Sequence, residues 1–243
     1  MKHQLVNVPF LSPQQIGELA SKLDINHRQM LKLIDDFNAG IKVKRLEISN
    51  RWNSNSYIGA EQRAHAAQSE TREAILAIKN KAEETLDTVF KDAGATYHLL
   101  QPQKQFYDSP VKVLARQGLG TQERSNYLEQ LDSSGPIEVA NLGQFAVSTN
   151  NIMLATAVLS KLDSMPSKDR PFGQLELAKA MHLDEFEKPD QYLKIAEARF
   201  QGLTLAYRAF RTGQVNPINT LSIGLRMKGI DETVMKSLEA QNA

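Results

Sequence analysis

Between Ala60 and Ala93 the chain runs without a Gly or Pro, and small or apolar residues recur at Ala60, Ala64, Ala67, Thr71, Ala74, Ile78, Ala82, Thr85, Val89 and Ala93. Every step is three or four residues, which places these side chains on one helical face. The spacing predicts a single helix over about 58–93, closed by Gly94 as a left-handed stop. At the usual rise such a helix is roughly 50 Å long, more than a compact domain of this mass needs. Helices of that length cross between subunits or build rods, so the feature points to assembly.

A second long helix is predicted over 189–211. Leu193, Ala196, Phe200, Leu203, Tyr207 and Phe210 form an apolar seam at heptad-like spacing, read here as the core face of a bundle helix. Arg208 and Arg211 complement the dipole of its last turn, and Gly213 follows. Ser12-Pro13 opens an earlier helix ending near Leu23, Asn26 caps another, and Asn38-Ala39-Gly40 stops it. Residues 41–49 read as an extended or helical connector, and 96–109 as a loop. Further helices are predicted after Ser109-Pro110, after Thr121, over 150–162 and 172–182, and near 219–228 and 231–240. Strand alternation is confined to the Ile41 region, and no Asn-Gly or Asp-Gly hairpin turn occurs. The expected fold is all-α, a multi-helix bundle of about eight to ten helices. Its expected organisation is an N-terminal part, 1–95, and a C-terminal bundle, 96–243, or one continuous domain.

Composition narrows the function classes. Hydrophobic residues make up 41% and charged residues 23%, a balance that supports a packed core over wholesale disorder. With 29 basic and 28 acidic side chains the net charge is +1, which excludes a histone-like polyanion binder. No cysteine is present, so disulfides, thiolate catalysis and Cys-ligated metals are excluded. The opening residues, MKHQLVNVPFLSPQQ, lack the apolar core of a secretory signal, and no run is apolar enough for a membrane span. The expected location is the cytoplasm, or the virion if the protein is a phage component.

The sharpest local motif is QQIGELASKLDINHRQMLKLIDDF, residues 14–37. With Ala20 at the helix crossing and Leu19, Leu23, Ile25, Met30 and Leu33 at apolar positions, it resembles a helix-turn-helix DNA-binding unit. Asp24 stands where that family carries Gly. The resemblance implies that His27, Arg28, Gln29 and Lys32 face the major groove. Basic residues also cluster at Lys42, Lys44, Arg45 and Arg51 and along 188–229; a solvated helix face is the plainer reading.

Catalytic signals are missing. His182, Asp184, Glu185 and Glu187 form the one acidic cluster with a histidine, but they occupy a helix end and read as a charged turn. Gly118-Leu119-Gly120-Thr121 lacks the Gly-Lys-Ser/Thr of a phosphate loop and reads as a turn between helices. Neither a cofactor nor a metal is expected, and the chain is expected not to be an enzyme. The leading expectation is a structural protein acting through homo-oligomeric contacts and contacts with other structural proteins. In general texture it is similar to the helical adaptor proteins between a phage portal and its tail. Ala60, Ala64, Ala67 and Thr71 are the expected oligomer interface, because small side chains let a neighbouring helix approach closely. The alternative is a nucleic-acid-binding protein using residues 14–37.

Overall fold

The computed structural model describes residues 8–54, 57–213, 224 and 228–229. Among the described residues it is all-α, with α1 (Pro13–Asn53), α2 (Ala60–Leu100), α3 (Pro110–Arg116), α4 (Gln122–Asp132), α5 (Pro136–Ser148), α6 (Ile152–Ser164), α7 (Gln174–Ala180) and α8 (Asp184–Thr212). The helices expected near 219–228 and 231–240 lie almost wholly outside the described residues. The chain divides into two compact units, Met1–Gly17 with Leu100–Lys194, and Glu18–Leu99 with Ile195–Ala243. They differ from the linear halves 1–95 and 96–243, because the chain passes from one unit to the other within α1, near the end of α2, and within α8.

The first unit is built of short helices with well-marked ends. The Ser109 hydroxyl accepts from the Val111 N–H, Thr121 from Arg124, and Asn151 from Leu154, each satisfying a donor that the first helical turn leaves open. Gly118 and Gly120 adopt φ of +66° and +80°, a conformation that glycine enters without a Cβ penalty, and turn the chain between α3 and α4. Helix α6 is the centre: Leu154, Ala155, Ala157, Val158, Leu159 and Leu162 are all buried, with α3, α4, α5 and α7 packed around it. Helix α5 was not anticipated; it starts at the Ser133–Pro136 break, where the Glu138 carboxylate accepts from the Gly135 N–H at 2.9 Å. Residues 9–11 are tied into this unit by the buried Gln103 amide, which donates to the Pro9 carbonyl (2.8 Å) and accepts from the Leu11 N–H (3.1 Å). The Tyr107 hydroxyl donates to the Leu11 carbonyl at 2.9 Å, and the Arg116 guanidinium lies 5.2 Å from the ring centres of both Phe10 and Tyr107. Burial holds the Tyr107 phenol above its ordinary pKa.

The second unit consists of long helices. Ion pairs and ring contacts fix its directions: α2 runs antiparallel to α1, with Asp92 against Lys22 and Glu70 against Arg51. Helix α8 runs parallel to α1, with Arg199 against Asp24 and Phe210 against Phe37. The apolar seam of α8 meets α2 through an aromatic ladder, with Tyr97–Phe200 centroids 4.3 Å apart, Phe90–Phe200 6.3 Å and Phe90–Tyr207 4.4 Å. Leu23, Met30, Leu86, Ala93 and Leu203 are fully buried along this bundle.

Three expected helix boundaries are corrected. Gly94 does not stop α2, which continues to Leu100; Thr96 is buried and Tyr97 stacks on Phe200, outweighing the cost of about 1 kcal/mol for a glycine in a helix. The expected loop at 96–109 is therefore helix to Leu100 and a 3-10 segment over Gln101–Phe106, entered just before Pro102. Asn38-Ala39-Gly40 and residues 41–49 all lie inside α1, so the connector is helical. Helix α8 starts at Asp184, with Pro189 inside it and Asp184, Glu185 and Glu187 in a first turn where negative charge complements the positive end of the dipole.

Candidate interaction groove

The distal parts of α1 and α2, beyond the reach of α8, lie side by side and leave a groove. Its α2 wall carries Ala60, Ala64, Ala67 and Thr71 with Arg63, Gln68, Arg72 and Ile75; its α1 wall carries Arg45, Ser49, Trp52 and Asn53. The groove has a volume of about 520 Å³. All of the small residues singled out from the 60–93 spacing as an interface thus fall along one groove. The space exists because alanines stand where larger side chains would fill it; Ala60 and Ala64 are exposed, and Ala67 and Thr71 half-buried. The Thr71 hydroxyl turns back to the Ala67 carbonyl at 2.6 Å.

The α1 wall is held in place by Glu70. Its carboxylate accepts from the Trp52 indole N–H at 2.8 Å and pairs with the Arg51 guanidinium. Glu70 is thereby engaged from α1, while among the described residues the groove lining contains arginines and no carboxylate. Arg63 reaches the Asn53 carbonyl at 3.4 Å across the hairpin end. Lys44 pairs with Glu47 at 2.8 Å, and that ammonium holds the exposed Glu47 carboxyl below the usual range. The groove is positive, partly apolar through Trp52 and Ile75, and shaped as a channel between two helices. It suits a helical or extended segment carrying negative charge.

Nothing in the spacing of α2 identified the α1 wall. Arg45, Ser49 and Trp52 recur at steps of four and three, a helical spacing masked by the strand-like alternation of Ile41 and Val43. The basic character of 41–51 was its visible trace.

The residues proposed for DNA contact are placed differently. Residues 14–37 belong to one unbroken helix with no turn at 24–26, so the helix-turn-helix geometry is not formed. One cause is local, the i,i+4 pair of Asp24 with Arg28 (2.7 Å), and the others are tertiary: Arg199 from α8 holds Asp24 at 2.6 Å, and Asn26 donates to Asp92 on α2 (3.1 Å) instead of capping a helix. His27 is buried, and Arg28, Gln29 and Lys32 are exposed on the same continuous helix. The Lys22 ammonium and the Asn26 amide hold the Asp92 carboxyl below the ordinary aspartate range. Further along, the Tyr207 hydroxyl donates to Asp87; burial and that bond raise its pKa, and Arg211 pairs with Glu83 at 3.1 Å.

The acidic cluster after α7 is also resolved. His182, exposed at φ +44°, lies 3.5 Å from Glu187, and among the described residues no group of three or more His, Asp or Glu converges on one point. Among the described residues no helix is long and apolar enough to cross a membrane. No protein family, characterised protein or solved structure matches the chain.

Proposed function

We propose that the protein is a non-enzymatic structural protein that works through homo-oligomeric contacts and contacts with other structural proteins. A phage head–tail connector or adaptor is the concrete instance, acting in the virion or in the cytoplasm before assembly. The observation that carries this reading is the small-residue face of α2, Ala60, Ala64, Ala67 and Thr71, lying open along a groove with no α2 residue from 60 to 85 buried. A helix face that long, left out of the bundle core, gains burial when a second molecule packs on it. Val43, Leu46 and Leu76, on the same stretches of α1 and α2, are exposed as well.

Sedimentation at micromolar concentration tests the reading. The wild-type chain is expected to associate, and the A64E/A67E variant to sediment as a monomer with unchanged helicity, because association would bury unpaired charge. A wild-type chain that stays monomeric, alone and with candidate virion proteins, overturns it.

A further inference from the structure

Four charges beside the groove become self-complementary when α2 is laid against a reversed copy of itself. Glu61, Arg63, Glu70 and Arg72 flank the small residues Ala64 and Ala67. Glu61 and Arg72 are about three helical turns apart and share one flank of the small-residue face; Arg63 and Glu70, about two turns apart, share the other. Take two antiparallel copies of α2 with a two-fold axis passing between Ala66 and Ala67. Glu61 then stands level with Arg72 of the second copy, and Arg63 with Glu70. A two-fold brings like flanks together, so each of these charges meets its opposite. In the same register Ala64 falls midway between Ala67 and Thr71 of the second copy, and Ala60 midway between Thr71 and Ile75, so the small side chains interleave. Parallel pairing in register would instead set each charge level with its own counterpart, a like-charge arrangement that costs free energy. Among the described residues, Glu61 and Arg72 are exposed and have no ion-pair partner in their own chain. The groove leaves Ala60, Ala64, Ala67 and Thr71 open along this face.

Resting on the homo-oligomeric reading, we infer that the occupant of the groove is α2 of a second copy, antiparallel across a two-fold axis between Ala66 and Ala67. Glu61 of each copy then pairs with Arg72 of the other, and the alanine faces meet at the centre.

The chain has no cysteine, so single cysteines placed in the full-length protein report the register directly. Position 67 lies beside the axis, and A67C is expected to give a disulfide-linked dimer under mild oxidation. Position 60 lies about 20 Å along the pair from its own counterpart, and A60C is expected to stay unlinked. By sedimentation, E61R and R72E are each expected to raise the dissociation constant roughly tenfold, since one substitution removes two exposed pairs at once. The double swap E61R/R72E should restore wild-type association. Suppose the wild type associates, but A67C stays unlinked, or A60C links as readily, or the double swap fails to restore association. Any of these overturns the antiparallel pairing and leaves the homo-oligomeric reading standing. A wild type that stays monomeric removes both.

Discussion

Helices α1 and α2 are paired over most of their length, but their two ends live in different surroundings. Where α8 joins them, Leu23, Met30, Leu86, Val89 and Ala93 are buried, and the polar side chains find partners on facing helices. Beyond α8, Ile48 is the one buried residue of α1 past Met30, and α2 buries none from 60 to 85. Both ends are helical and both are amphipathic. The difference teaches that burial here comes from a third helix, since two helices alone cover only one side of each other. The distal end is left with alanines and arginines facing a groove.

The largest test of that contrast is Leu203→Ala. Leu203 is fully buried on α8 against the bundle end, and its truncation should cost about 2–5 kcal/mol in a denaturant titration. A loss below 1 kcal/mol would show that α8 does not organise the core. Asp24→Ala comes next. It removes the carboxylate 2.6 Å from the Arg199 guanidinium at a site where Arg199 is 9% exposed, and should cost about 1.5–3 kcal/mol by the same measurement.

Acid should separate the ends more gently. The Asp92 pKa is lowered by Lys22 and Asn26, so its contribution is present above the unfolded value of about 3.9 and is lost as pH falls through the lower folded value. Asp92→Asn should flatten the stability profile in that window. The Asp92 carboxylate is half exposed, so the effect should be under about 1 kcal/mol. The smallest folding effect is expected at the distal end: A64E/A67E should change subunit stability by no more than about 0.5 kcal/mol, because Ala64 is exposed and Ala67 half-buried on an open groove, while abolishing association. A cooperative loss of helicity in that variant would place the groove face in the core and erase the contrast.

Much of the short-helix unit was legible because its signals are local. Ser109-Pro110, Thr121 and the 133–136 break act within a turn of themselves, and the structure uses each where the sequence places it. Helix α5 escaped because it shares one break with α4 and carries a weak apolar rhythm. The long helices were legible in their faces and illegible in their ends. Gly40 and Gly94 are ordinary stop signals; nothing in the structure would contact a Cβ at either, and both sit in continuous helix. The groove was half legible: the α2 wall shows in the spacing of small residues, whereas the α1 wall needed the knowledge that 41–49 is helical.

Helical identity, the apolar seam of α8 and the small-residue stripe of α2 follow from the sequence itself, because they depend on spacings of three and four residues. Tertiary structure decided where the long helices end, that 14–37 is one helix instead of a helix-turn-helix, and which stretch of α2 stays uncovered. Those outcomes turn on contacts such as Asp24 with Arg199, Asn26 with Asp92 and Tyr97 with Phe200. Their partners lie tens to hundreds of residues apart, and a local cost of about 1 kcal/mol at a glycine yields to the burial they bring.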